Sequence, residues 1–112
     1  MSSMNSSAAT VIPMQKIDIS NHELILIKQI LEKYVPEYEV QVFGSRVQGR
    51  TERNSDLDLV IMTDKPLPVL TLADLKEAFS ESDLPFRVDV VDWACTKEHF
   101  RKIIEKQAVR IK

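Results

Sequence analysis

The sequence predicts a small α/β (α+β) domain, a mixed β-sheet packed with helices, and three observations point there. Helix-like and strand-like periodicities alternate in the order α-β-(turn)-β-α-β-α, which fits a small sheet with helices packed on it. At 112 residues the chain is long enough for one core and leaves no room for a second folded module. Its 44% hydrophobic and 29% charged residues are ordinary for a soluble globular protein. Residues 15–112 are expected to form this single domain. Residues 1–14, MSSMNSSAATVIPM, are expected to be a disordered tail, rich in Ser, Asn and Ala and without the basic start and apolar middle of a signal peptide.

The elements follow in chain order. Ser20-Asn21-His22-Glu23 reads as a capping box, in which Ser20 and Glu23 satisfy each other's orphan amides. Leu24, Ile27, Ile30, Leu31 and Tyr34 then recur at helical spacing until Pro36 stops the run. Tyr38 to Phe43 reads as a strand with Val40 and Val42 on one face. Leu57 to Met62 is a second strand between the polar turn TERNS and Thr63-Asp64-Lys65-Pro66. A helix over Leu72 to Phe79 places Leu72, Leu75 and Phe79 on one side. Phe86 to Val91 is a third strand, and Thr96 is placed to cap a last helix carrying Phe100, Ile103 and Ile104.

Charge and cysteine content narrow the function classes. A net charge of −2 argues against a general nucleic-acid coat and against direct nucleic-acid binding. The charge is uneven: six basic and two acidic residues make Lys97 to Lys112 +4, which leaves −6 for the rest. That segment reads either as a solvated helix face or as a partner contact. The one cysteine, Cys95, cannot form an internal disulfide, which fits a reducing, cytoplasmic location. No apolar run approaches the length of a membrane span.

Both glycines of the chain fall in one stretch, Phe43-Gly44-Ser45-Arg46-Val47-Gln48-Gly49, where average usage would spread about eight along the chain. Ser45 is placed to cap, and Gly49 to stop, a one-turn helix whose free N–H groups suit phosphate oxygens. Gly44 would let a phosphate approach the backbone closely. The other reading is a plain strand-to-helix turn.

Asp56 and Asp58 follow at the start of a strand. A period of two points them to one face, about 7 Å apart, while Leu57, Leu59 and Ile61 point into the core. Neighbouring carboxylates repel and raise one pKa unless a cation sits between them. This oxygen-only set suits Mg²⁺ or Mn²⁺, with substrate phosphates completing the shell. Alternatively the pair simply binds turn backbone. In Arg87-Val88-Asp89-Val90-Val91-Asp92-Trp93, Asp89 lies between valines and asks for a partner such as a metal. Asp92 has the opposite parity and is explained by capping the next segment. Trp93 reads as a core residue or as the wall of a base pocket. His22 and His99 lack partners at zinc spacing and read as surface residues.

The stretch GSRVQGRTERNSDLDLVI resembles the nucleotidyltransferase signature of the polymerase-β superfamily: Gly-Ser, ten residues, then Asp-x-Asp. Gly44, Ser45, Asp56 and Asp58 match it, and Asp89 falls where that family keeps its third carboxylate. The four-residue pattern alone arises by chance in on the order of one in 10³ chains this long. The resemblance runs from about residue 20 to 112 and is to the minimal nucleotidyltransferases, the MNT proteins, which are antitoxins of HEPN/MNT toxin–antitoxin pairs. Many relatives have small residues where Val47 and Gln48 stand; Arg46 matches a frequent family arginine. Arg50 and Arg53 read as solvated or as steering a triphosphate.

The resemblance implies a polymerase-β-like fold and transfer of AMP from ATP to a hydroxyl, a tyrosine of a partner HEPN toxin, within a hetero-oligomer. Asp56, Asp58 and Asp89 would be catalytic and metal-binding, with two Mg²⁺ ions. Gly44, Ser45 and Arg46 would bind the nucleotide. Lys97–Lys112 is a candidate docking surface. Two other readings stand beside this one: an antitoxin that neutralises its toxin by binding alone, and an adenylyltransferase acting on a small molecule such as an aminoglycoside.

Overall fold

The computed structural model describes Ile17, residues 19–44 and residues 56–112. The expected tail (1–14), the turn residues Ser45, Arg46 and Gly49, and Arg50 and Arg53 lie outside the described residues.

Helix α1 (Asn21–Tyr34) opens with the expected reciprocal cap. Ser20 Oγ accepts from the Glu23 amide at 3.1 Å, and Glu23 Oε1 accepts from the Ser20 amide at 2.9 Å. Strands β1 (Glu39–Phe43) and β2 (Leu57–Met62) pair antiparallel. Helix α2 (Val69–Ser80) then crosses over to β3 (Val88–Asp92), which lies parallel to β2, as a strand–helix–strand crossover permits. A 3₁₀ turn (Trp93–Cys95), helix α3 (Glu98–Gln107) and a two-residue strand β4 (Val109–Arg110) complete the chain. The sheet order is β3-β2-β1-β4, with β4 antiparallel to β1, so the sheet is mixed as expected. Among the described residues no helix is long and apolar enough to cross a membrane.

Four differences from the sequence expectation have physical reasons. Helix α2 starts at Val69 rather than Leu72, behind Pro68, whose φ of −54° suits a helix entry. Val69 and Leu70 are 82% and 76% exposed, so they add nothing to the apolar stripe by which the helix was legible. Strand β3 runs Val88–Asp92 rather than Phe86–Val91, because the ladder to β2 pairs Leu57 with Val88 and Ile61 with Asp92. Thr96 does not cap α3. Its hydroxyl donates to the Asp92 carbonyl at 2.8 Å, closing the 3₁₀ turn, and Lys97 takes the cap position without a side-chain bond. Finally β4 had no signal of its own: two residues at the chain end become a strand only because β1 offers them an edge.

The two faces of the sheet are built differently. On one, Ile27 and Leu31 of α1 and Leu75 and Phe79 of α2 cover Val40, Val42, Leu57, Leu59, Ile61 and Val90 in a continuous apolar core. On the other, α3 covers only part of the sheet: Ile104 packs with Phe43 and Val60, and Phe100 and Trp93 lie at the margin. Phe43 and Phe100 meet edge to face, ring centres 5.8 Å apart.

The basic C-terminal segment is partly structural. The Arg101 guanidinium donates to the Trp93 carbonyl at 2.7 and 3.2 Å and lies 4.8 Å from the centre of the Trp93 ring. Lys112 Nζ donates to the carbonyls of Val35, Pro36 and Tyr38 at 2.7–3.0 Å. Arg110 pairs with Glu39 at 3.8 Å. Lys97, Lys102 and Lys106 are exposed, and among the described residues no ion pair ties them to the fold.

Candidate active site

The site forms at the end of the sheet where β1 finishes and β2 and β3 begin. Phe43 is paired with Asp58, and Asp58 with Asp89, so the three stand in one row across three strands. Strand alternation turns Leu57, Leu59, Val88 and Val90 to the two-helix core and leaves Asp58 and Asp89 on the face that α3 covers only in part. Neighbouring strands run about 4.8 Å apart, which brings the two carboxylates side by side. The Leu57 amide donates to the Arg87 carbonyl at 2.9 Å and pins this register at its open end.

The row is electrostatically uncomfortable. Burial pushes the Asp58 carboxyl up to about 6, and the negative charges of Asp89 and Asp56 push in the same direction. Asp56 is exposed, just ahead of β2. Asp89 is 43% exposed, and its Oδ1 lies 3.4 Å from Nε of the exposed Arg87. An ion pair this open to water is weak and easily exchanged.

Gly44 adjoins the row, with φ of +92°, a region L side chains rarely adopt. A Cβ there would also overlap the Asp58 carboxylate. Glycine is therefore required here on two counts, the backbone conformation and the space that the Asp58 carboxylate takes. The Gly44 amide donates to Gln107 Oε1 at 2.9 Å, so it too is engaged. A cleft of about 980 Å³ opens over these groups, lined among others by Gly44, Asp58, Asp89, Lys76, Arg87 and Phe100.

The donor set suits a hard divalent cation. It is all oxygen, and Asp58 is held in a state that a neighbouring positive charge would relieve. Among the described residues no group of three or more His, Cys, Asp or Glu side chains is arranged to hold a metal by itself.

Asp92, three residues after Asp89, has the opposite fate. It is 6% exposed and accepts from the Thr63 hydroxyl, the Leu67 amide at 2.6 Å and the Ala94 amide at 3.1 Å. It is the capping residue expected from its place at the strand end. Trp93 packs at the margin of the second core under Arg101, in line with its core reading, and His22 and His99 are exposed. Ser45 and Arg46 lie outside the described residues. Two site residues escaped the sequence reading. Arg87 was detectable, since i and i+2 share a strand face and place it beside Asp89. Gln107 was not, because its contact with Gly44 spans 63 residues.

Comparison with known proteins is consistent with this geometry. Residues 24–112 match the family model described as a nucleotidyltransferase domain. The chain is 54% identical over 96 residues to a Haemophilus influenzae protein named "probable protein adenylyltransferase MntA", covering 86% of this chain and 84% of that one. It is 30% identical over 73 residues to the protein adenylyltransferase MntA of Thermococcus cleftensis, covering 65% and 73%. Among solved structures it resembles a chain of a toxin–antitoxin crystal structure with AMP-PNP, with a TM-score of 0.69, 24% identity and coverage of 80% and 72%. It also resembles a chain of the complex of a tri-AMPylated Shewanella oneidensis HEPN toxin with its MNT antitoxin, with a TM-score of 0.61, 20% identity and coverage of 80% and 68%. At these identities the structural likeness speaks to the fold.

Proposed function

The chain belongs to the nucleotidyltransferase domain family, and from that premise we propose that it is a protein adenylyltransferase, moving AMP from ATP to a hydroxyl of a HEPN-family toxin and thereby acting as its antitoxin. The observation that carries the reading is the Asp58–Asp89 row, two carboxylates held side by side at the mouth of a cleft with Gly44 beside them. The names of the relatives supply the acceptor class: adenylyltransferases acting on proteins, and complexes with a HEPN toxin. A toxin tyrosine is the acceptor assigned, in a hetero-oligomer in the cytoplasm.

Asp56 and Asp58 are assigned as ligands of a divalent cation, Mg²⁺ with Mn²⁺ as substitute, and Asp89 as the third carboxylate, sharing a second ion or taking the proton of the attacking hydroxyl. When bound, such ions neutralise triphosphate charge and lower the barrier to in-line displacement at phosphorus. The residues of the chain define the rest. The acceptor oxygen attacks the α-phosphorus, the bond from that phosphorus to the α–β bridging oxygen breaks, and pyrophosphate leaves. The acceptor proton passes to Asp89 or to water. Gly44, Ser45 and Arg46 are assigned to the phosphates. For Gly44 this contribution is shape, since its amide already serves Gln107. Arg87, released from Asp89 when the carboxylate is needed, is a cation at the cleft for the leaving phosphates.

Intact mass spectrometry of the protein that co-purifies with this chain, before and after incubation with Mg·ATP, tests the reading. Mass gains of whole AMP units on the partner, absent with Asp58→Asn, are expected. A tight complex that gains no mass would leave an antitoxin acting by binding alone.

A further inference from the structure

We propose that Gln107 is a positioning residue for nucleotide binding: from the last turn of α3 it latches the Gly44 amide and so fixes the glycine that stands against Asp58 at the cleft. This rests on the transferase reading above. Three observations meet at one atom pair. The Gly44 N–H donates to Gln107 Oε1 at 2.9 Å, a bond across 63 residues of sequence. Gly44 stands at φ +92°, a conformation open to glycine and rarely to other residues. The Asp58 carboxylate occupies the space that a Gly44 Cβ would fill, so the latched glycine and the carboxylate stand against each other.

Gln107 is well placed to hold this pose. It is the last residue of α3, and Ile104, one turn earlier, is fully buried against Phe43 and Val60. The following residues return to the sheet as β4, beside β1. The helix end is thus clamped on both sides, and the side chain acts from a rigid base. Gln107 also lines the cleft together with Asp58 and Asp89. A neutral amide suits the position, since it supplies an acceptor without adding a negative charge beside two carboxylates that already repel.

The test compares wild type with Gln107→Met, which keeps length and loses the acceptor, and Gln107→Glu, which keeps an acceptor oxygen. Three readouts are taken on the full chain with its co-purifying partner: Kd for Mg·AMP-PNP, KM and kcat for AMP transfer, and exchange of the Gly44 amide proton by NMR. With only two glycines in the chain, that resonance is readily assigned through Gly49→Ala. Gln107→Met is expected to raise Kd and KM about tenfold, the loss of one hydrogen bond, with kcat changed far less. Gly44 exchange should quicken about tenfold in Gln107→Met and stay slow in Gln107→Glu. Unchanged nucleotide affinity in Gln107→Met overturns the proposal, as does an equal fall in kcat and thermal stability without a change in Kd. A wild-type chain that binds no Mg·AMP-PNP overturns the transferase reading itself, and the latch with it.

Discussion

Strand β3 carries two aspartates three residues apart, and they stand in opposite worlds. Asp92 faces the two-helix core, is almost fully buried, and has a donor for each carboxylate oxygen. Asp89 faces the half-covered side, shares its row with Asp58, and has one solvent-exposed arginine for company. A buried charge with every lone pair satisfied holds structure in place. A half-buried pair of like charges, with only one exposed arginine beside it among the described residues, stores a demand for a cation that a ligand can meet. The same residue type on one strand is therefore scaffold on one face and, on the proposed transferase reading, chemistry on the other.

Exchanging charge for amide on each face would sharpen the contrast. Asp58→Asn should cut AMP transfer by more than about 10³-fold, since several kcal/mol of transition-state stabilisation go with the cation. Its far-UV circular dichroism and thermal unfolding should show an intact fold. A variant that transfers at the wild-type rate would break the distinction outright.

On the other face, Asp92→Ala should cost about 3 kcal/mol of stability in urea unfolding, because the Thr63 hydroxyl and the Leu67 and Ala94 amides lose their acceptor. Transfer measured well below the new unfolding midpoint should survive. A variant as stable as wild type would show that Asp92 is no more structural than Asp89.

Gly44→Ala probes the boundary between the two roles. The positive φ alone costs about 1 kcal/mol, and the added methyl turns the Asp58 carboxylate aside. Transfer should therefore fall much further than stability, a split that parallel activity and melting measurements would reveal.

The smallest effect concerns pH. The fold raises the Asp58 carboxyl to about 6 from an ordinary 3.8, so the folded state binds that proton more tightly than the unfolded chain. That contribution is fully present below about pH 4 and is lost as the pH rises through about 6. Without metal, Asp58→Asn should match wild type near pH 4 in urea unfolding and exceed it near pH 7.5. The difference should be on the order of 1 kcal/mol after solvent screening. A constant difference across that range would mean that Asp58 is no more strained than an ordinary surface carboxylate.

Much of this was readable one residue at a time. The cap at Ser20, the apolar stripe of α1 and the strands around Val40–Val42 and Leu57–Ile61 are local patterns, visible wherever side chains alternate or recur with a fixed period. Parity along β2 and β3 also determined which aspartates could share a face, because each strand turns successive residues to opposite sides. Parity is silent on which strands are neighbours and in what register. Only the folded chain decided that Asp58 stands opposite Asp89. Likewise only the folded chain showed that Gly44 is shaped around Asp58, that Gln107 reaches back across 63 residues, and that Val109–Arg110 is a strand at all. Those contacts exist because burying the two cores closes long loops, and no pattern within a few residues reports which distant segments a core will bring together.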